Sequence, residues 1–133
     1  MRSILFGGLA GLGALAVACA PDMMPTPSEG EAVFLENCAA CHGCRAEGAE
    51  ELVGGETAPD LTQIAARNGG VFPRAQMLST IDGYGRVEHP GVMPEFGAVL
   101  EGELVPVEID GTMTPTPRPL AALLAYLESI QAE

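Results

Sequence analysis

Apolar residues recur at helical spacing near the end of the chain and predict a last helix from about Leu120 to Gln131. The positions that form this stripe are Leu120, Leu123, Leu124, Leu127 and Ile130. Three shorter helices are predicted upstream, at about 29–38, 61–67 and 73–81, from start and stop signals. Helices this short are marginal alone and must pack on something. The chain is therefore predicted to be mainly α-helical.

The first of these helices has a recognisable beginning. Ser28 and Glu31 fit a capping box, with Ser28 as the N-cap. Gly30 and Phe34 lie four positions apart, so they share one face of the helix. Glycine on that face permits another helix to approach closely, and Phe34 fills the contact.

Strand-like alternation occurs late in the chain. Val105, Val107 and Ile109 alternate with other residues, and an Asp-Gly turn signal follows them, which predicts a short β-hairpin at about 103–113. Pro106 restricts it to an edge element. Three stretches rich in Gly, Pro or acidic residues are predicted to be irregular: loops at 43–56 and 88–97, and a rigid lead into the last helix at 114–119.

Residues 1–18 resemble an export signal, with one Arg followed by an apolar run. The run is shorter than the roughly 20 residues of a transmembrane helix. Its end allows two interpretations, Cys19 as the lipidated first residue of a lipoprotein or Ala16–Ala18 as an ordinary cleavage site. Residues 19–27 then form a Pro-rich tether, extended at about 3 Å per residue. We expect a periplasmic protein anchored to the membrane through Cys19 or, in the alternative, soluble.

Composition narrows the range of partners. The 133 residues suffice for one domain, and 18 acidic residues against six Arg and no Lys give a formal charge of −12. This charge argues against nucleic acids and anionic membrane surfaces as partners. Aromatic residues are few and Trp is absent, so a core made of side chains alone would be thin. A buried cofactor would supply the missing apolar surface.

The stretch Cys38-Ala39-Ala40-Cys41-His42 carries the clearest chemistry in the chain. A CxxCH run is typical of a c-type haem attachment site. Each thiol can add across one vinyl group of a haem, and the His directly after the second thiol offers the proximal iron ligand. The motif predicts one covalent haem c, bound through Cys38 and Cys41 and ligated by His42.

A third thiol lies close to this motif. Cys41 and Cys44 also form a CxxC pair, but Arg45 follows it, and Arg cannot ligate iron. A zinc site built from the whole cluster is disfavoured, because the adjacent Cys41 and His42 would reach one tetrahedral metal with difficulty. Cys44 is therefore left without a partner. We expect it to be buried against the haem edge or, failing that, to oxidise or cross-link two molecules.

The order of these motifs resembles that of a class I (mitochondrial-type) cytochrome c, exported by a bacterium. The segments that carry the resemblance are Gly30 with Phe34, Cys38–His42, Ala58–Thr62, Met93–Phe96 and Leu123–Leu127. The resemblance covers residues 28–133 as one cytochrome c domain. It implies a class I fold in which the first and last helices cross around one haem, with Gly30 and Phe34 meeting Leu123 and Tyr126.

The resemblance also implies further site residues. Pro59 would accept a hydrogen bond from His42 through its carbonyl, and Met93 would be the distal iron ligand through its thioether sulfur. His89 is the alternative sixth ligand. Met77 is more simply a core residue, and Met113 an exposed or edge residue.

The Trp that faces a haem propionate in many relatives is missing from this chain. Arg67, Arg74 or Arg86 could take over that contact, and the sequence alone does not choose among them. The chain also lacks Lys, so docking through a ring of lysines is not available.

The function that follows is a periplasmic electron carrier with one His/Met-ligated haem c. It would not be an enzyme, because both axial positions would be filled. Two alternatives stay open: a fixed electron-entry subunit of a membrane oxidase or dehydrogenase complex, and a haem enzyme or sensor with an open distal site. The expected partners are redox proteins with a basic docking surface, without any small-molecule substrate or nucleic acid.

The choice of thiol register can be tested directly. Cys38→Ala or Cys41→Ala should yield poorly matured protein, because each removes one thioether bond to the haem. Cys44→Ser is the control and should keep the covalent haem, as measured by haem staining of the denatured protein. Loss of covalent haem from Cys44→Ser would show that the register is wrong.

Overall fold

The computed structural model describes residues 24–50, 52–84 and 92–132. The predicted export signal, Cys19, most of the tether, Arg86 and His89 lie outside these residues, and what is expected of them stays a prediction. Within the described ranges, none of the helices combines the length and the apolar character that crossing a membrane requires.

Five α-helices and two β-hairpins follow one another along the described part of the chain. The helices are α1 (Pro27–Asn37), α2 (Ala39–His42), α3 (Ile64–Arg67), α4 (Arg74–Asp82) and α5 (Arg118–Ser129). The strands are β1 (Leu52–Val53), β2 (Glu56–Thr57), β3 (Leu104–Ile109) and β4 (Thr112–Pro117), paired antiparallel as β1–β2 and β3–β4. A 3₁₀ turn at Leu61–Gln63 leads into α3. The prediction of a mainly helical fold is confirmed.

Helices α1 and α5 pack directly against each other and form the centre of the core. Phe34 of α1 is fully buried, and its ring centroid lies 5.3 Å from that of Tyr126 of α5, a separation that favours aromatic pairing. A Cβ atom on Gly30 would overlap the carbonyl of Ala122 and lie 2.7 Å from the Cβ of Tyr126. The two backbones therefore touch at Gly30, and Leu123, 1% exposed, packs in the same cluster.

Helix α1 begins two residues earlier than predicted, and Ser28 is not its N-cap. The Oγ1 atom of Thr26 accepts from the N–H of Glu29 at 3.3 Å, and the Glu29 carboxylate accepts from the N–H of Thr26 at 2.6 Å. Pro27 decides between the two overlapping capping boxes, because proline is favoured at the first helical position. The bond from the Thr26 N–H, followed by that from Arg118, lowers the pKa of Glu29.

The β3–β4 hairpin is longer than the predicted 103–113, because the Thr/Pro-rich stretch expected to be an irregular lead forms β4. The turn residues Asp110 and Gly111 have φ angles of 49° and 81°, as the favoured two-residue hairpin turn requires. Pro106 of β3 lies directly opposite Pro115 of β4. Since neither proline can donate, this pair must occupy a non-hydrogen-bonded position of the ladder, where proline removes no bond.

One face of this hairpin is buried against the outer side of α5. Val105 and Val107, 5% and 6% exposed, pack with Ala121 and Leu124 of α5. Arg74 of α4 bonds to both α5 and the hairpin. Its guanidinium makes hydrogen bonds of 2.8–3.2 Å to the Glu128 carboxylate and of 3.1 Å to the Glu108 carbonyl.

The segment 43–56, predicted to be a loop, contains β1 and the first residue of β2. Gly54 and Gly55 form its turn, with φ angles of 59° and 93°. The bounds of α4 and α5 differ from those predicted by one or two residues. In α5 the helix begins at Arg118 and tolerates Pro119 because proline is accepted in the first turn.

The contact at Gly30 generates a stability prediction. In Gly30→Ala the new methyl group has no room, so overpacking of about 1–3 kcal/mol should outweigh the gain of up to about 1 kcal/mol in helix propensity. We expect the unfolding free energy of the holoprotein in urea to fall by about 2 kcal/mol. Ser28→Ala on the exposed side of α1 is the control and should change it by less than about 0.5 kcal/mol; equal losses in the two variants would contradict the close approach.

Candidate haem site

A cavity of about 290 Å³ lies between α1, α5, α4 and the loops that connect them. Its lining is mostly apolar and includes the two thiols, the imidazole and the thioether singled out in the sequence. Cys38, Cys41, His42, Pro59 and Met93 all line it, although the last two are far from the first three along the chain. The fold therefore brings all five predicted site residues to one cavity.

The thiols are positioned by the end of α1. The N–H of Cys38 donates to the Phe34 carbonyl at 2.8 Å and closes the last turn of the helix. One further turn, α2, carries Cys41 and His42, and the His42 N–H donates to the Cys38 carbonyl at 2.9 Å. Burial, with a smaller contribution from Cys41, raises the pKa of the Cys38 thiol to about 11. In the protein chain alone that thiol is therefore neutral.

The orientation of His42 is set by one hydrogen bond. Its ring is buried, 8% exposed, and its Nδ1 lies 3.1 Å from the carbonyl oxygen of Pro59. A carbonyl only accepts, so Nδ1 carries the proton and donates. In the neutral ring this bond selects the tautomer whose Nε2 lacks a proton, which is the form in which an imidazole binds a metal.

The Pro59 carbonyl is held in place by the loop that follows α2. Gly48 donates to the His42 carbonyl at 3.0 Å, and Leu61 donates to the Ala46 carbonyl at 2.7 Å. A Cβ on Gly48 would lie only 2.8 Å from the carbonyl oxygen of Ala58. The loop at 43–48 and the segment at 58–61 are therefore in direct contact, and this contact supports the acceptor of the His42 bond.

Met93 is positioned by backbone bonds to the C-terminal end of α4. The N–H of Phe96 donates to the Ile81 carbonyl at 2.9 Å, and that of Gly97 donates to the Asp82 carbonyl at 3.1 Å. These bonds attach the loop three residues after Met93. The Met93 side chain packs against the core cluster that contains Phe34 and Leu123.

The alternatives for the sixth ligand are placed differently. Met77 of α4 lines the cavity and also packs against the β3–β4 hairpin, as a core residue would. Met113 lies on β4, is 58% exposed and does not line the cavity. His89 lies outside the described residues. Among the described methionines, Met77 and Met93 are thus the two that face this space.

Of the two described arginines considered for a haem propionate, Arg67 lines the cavity and Arg74 does not. Its guanidinium donates to the Asp60 carbonyl at 2.7 Å. Arg74 is instead engaged with Glu128 and Glu108 outside the cavity. Arg86 lies outside the described residues.

The expected burial of Cys44 is wrong. Cys44 is an exposed free thiol in the loop after α2 and does not line the cavity. The reason is the turn at Gly43, whose φ of 75° directs the chain away from α2. The zinc alternative also finds no support, since no group of three or more His, Cys, Asp or Glu residues in the described ranges is arranged to hold a metal.

The sequence did not reveal several other lining residues. Asn37 of α1 donates through Nδ2 to the Val33 carbonyl at 2.9 Å, and Thr80 lies on α4. Glu56 and Thr57 reach the cavity from β2. No local pattern marks these positions, because each faces the cavity only through the packing of its segment.

These residues fit a covalently bound haem. Apolar side chains from α1, α3, α5 and the Met93 loop surround the space: Phe34, Ile64, Phe96, Leu123 and Leu127. Two thiols offer attachment, one imidazole is oriented with Nε2 available, and one thioether faces the same cavity. Imidazole with thioether is a known axial pair for c-type haem.

Comparison with known proteins agrees with this chemistry. A family model described as Cytochrome c matches residues 27–131 of the chain. The match begins with α1 and ends beyond α5, so it includes every described residue that lines the cavity. No curated protein and no solved structure matches the chain significantly.

Proposed function

We propose, since the chain belongs to the cytochrome c family, that it carries electrons through one His/Met-ligated haem. The family binds haem c covalently and transfers electrons through it, and Cys38 and Cys41 have the matching spacing. The mainly helical fold is consistent with class I of the family. The observation that supports the finer assignment is the convergence of Cys38, Cys41, His42 and Met93 on one cavity.

Each of these residues would have a separate role. When bound, the haem supplies an iron that alternates between the ferrous and ferric states. Cys38 and Cys41 anchor it through thioether bonds, and His42 offers Nε2 while its Nδ1–H stays bonded to Pro59. Met93 offers a soft, neutral sulfur, which favours the ferrous state and raises the potential. Arg67 is our candidate for the propionates, because it lines the cavity.

An electron carrier needs no substrate position at the metal. With His42 and Met93 as ligands, the iron would have no position left for a substrate, and the protein would transform no small molecule. Its task is then to exclude water and to set the potential, which axial ligands and burial tune over about 0.8 V in haem proteins. We therefore propose a carrier rather than an enzyme.

The acidic composition supports a basic redox partner. The formal charge is −12, whereas the described residues lining the cavity include one acidic residue, Glu56, and one basic residue, Arg67. Most of the negative charge therefore acts from outside the site. Its field would orient a basic partner at long range.

Removing Met93 tests the ligand assignment. The oxidised protein should show the weak near-infrared charge-transfer band of an iron–thioether bond, and Met93→Ala should abolish it, lower the potential and admit carbon monoxide or cyanide. Met113→Ala is the control, since its side chain is exposed and outside the cavity. If the band survives in Met93→Ala and disappears in Met77→Ala, Met77 is the ligand; if the wild type lacks the band, His89 or an open site replaces the proposal.

Ionic strength tests the electrostatic steering. Exposed charges are screened beyond about 10 Å at 0.1 M salt, so the rate of association with a basic redox partner should fall by about tenfold between low and physiological salt. Stopped-flow kinetics over a salt series measures this dependence. A rate that is flat or rises with salt would show that the acidic surface serves solubility alone.

We also propose that the protein is exported to the periplasm and held at the membrane by a lipid on Cys19. The apolar run before Cys19 and the Pro-rich tether after it support this location. In a bacterial host the mature protein should fractionate with membranes, and Cys19→Ser should release it. Wild-type protein found only in the soluble periplasmic fraction would favour cleavage after Ala16–Ala18 instead.

A further inference from the structure

The turn of the β1–β2 hairpin is in direct contact with the residue that precedes Met93. Gly54, at a φ of 59°, lies so close to Val92 that a Cβ there would stand 2.9 Å and 3.0 Å from its two γ-methyl groups. The neighbouring Gly55 has a φ of 93° and no atom within 4 Å of the corresponding position. The contact is therefore specific to one of the two turn residues.

Val92 and Met93 both line the haem cavity. On its C-terminal side the Met93 loop is attached to α4 through the bonds of Phe96 and Gly97. On its N-terminal side, Val92 is the first described residue, and its side chain meets the hairpin turn. The turn thus packs on the side of Met93 that the α4 bonds do not reach.

The same chain segment continues to the proximal side of the cavity. Glu56 and Thr57 line the cavity, and Pro59 supplies the carbonyl that accepts from His42. Residues 54–59, which we call the strap, therefore begin at the Met93 loop and end at the hydrogen bond of His42. A segment attached at both ends couples the positions of the two side chains.

We propose that the strap holds the Met93 loop against the cavity, and that Gly54 is a positioning residue for Met93. This inference rests on the proposed ligation by Met93. Glycine is needed at this position because a side chain would push Val92 away, and valine, branched at Cβ, has no flexible end that could swing aside. Because Val92 and Met93 are adjacent in the chain, a displaced Val92 would displace Met93 and weaken its bond to the iron.

The matched pair Gly54→Ala and Gly55→Ala tests the proposal in the holoprotein. Both variants place a methyl group at positive φ, and Gly55, at 93°, is strained at least as much. We expect Gly54→Ala to weaken the near-infrared thioether band and to raise the affinity of the ferric protein for cyanide by about tenfold, equivalent to about 1.4 kcal/mol. Gly55→Ala should leave both close to wild type. Equal effects in the two variants would overturn the proposal.

A second substitution, at Val92, tests whether the contact itself causes the effect of Gly54→Ala. In Gly54→Ala/Val92→Ala the obstructing methyl groups are gone, so the band should return towards wild type; a double variant no better than Gly54→Ala would contradict the contact mechanism. If Gly54→Ala does not mature, Gly54→Ala/Val92→Ala should still mature and show the band, and a double variant that also fails to mature would overturn the proposal.

Amide hydrogen exchange of residues 92–97 separates this proposal from the ligand assignment. Gly54→Ala should accelerate exchange relative to Gly55→Ala, since it loosens the loop whichever group binds the iron. Equal exchange would contradict the strap. A wild-type protein without the thioether band would instead contradict ligation by Met93.

Discussion

The close contact between α1 and α5 is the constraint on which the haem site depends. At Gly30 the two backbones touch, because a side chain there would overlap the carbonyl of Ala122. Helix α1 ends at Asn37 with Cys38 as its C-cap, so the position of the first thiol follows from how α1 packs against α5. The ring of Phe34, fully buried between the helices, forms part of the cavity wall as well. The packing of α1 on α5 therefore determines both the centre of the core and the position of the Cys38 thiol.

His42 and Met93, the two proposed iron ligands, are held by different means. His42 is one turn beyond the first thiol, and a single hydrogen bond to the Pro59 carbonyl decides its rotation and its tautomer. Met93 is far from both along the chain and depends on the bonds from its loop to α4 and on the contact of Val92 with Gly54. His42 needs one acceptor from another segment, Pro59, whereas Met93 depends on contacts with two other segments, α4 and the β1–β2 turn. The position of Met93 is therefore more sensitive to packing elsewhere than that of His42.

Charge and apolar surface are separated in this protein. The cavity is lined mainly by apolar side chains, with Glu56 and Arg67 as its charged members. Other charged residues form ion pairs between elements: Arg74 of α4 with Glu128 and Glu108, and Arg118 of α5 with Glu29 in the first turn of α1. The formal charge of −12 therefore acts mainly from outside the cavity.

Local signals in the sequence predict much of this structure. The motif from Cys38 to His42, the apolar stripe of α5 and the Asp-Gly turn each depend on residues a few positions apart, and spacing alone predicts them. The family resemblance then supplied Pro59 and Met93, which local chemistry could not have connected to His42. The capping box shows the limit of local patterns, because two overlapping boxes fit and Pro27 had to decide between them.

Tertiary structure decided what depends on contacts between distant segments. The Thr/Pro-rich stretch became β4 because Pro115 lies opposite Pro106, where no ladder bond is lost, and because the hairpin packs against α5. Cys44 became exposed because the chain turns away after His42, and Arg67 rather than Arg74 faces the cavity because Glu128 and Glu108 engage the latter. The sequence by itself determined which chemical groups the protein uses. Only packing decided which of them meet, because the energy of such contacts depends on neighbours that no local pattern encodes.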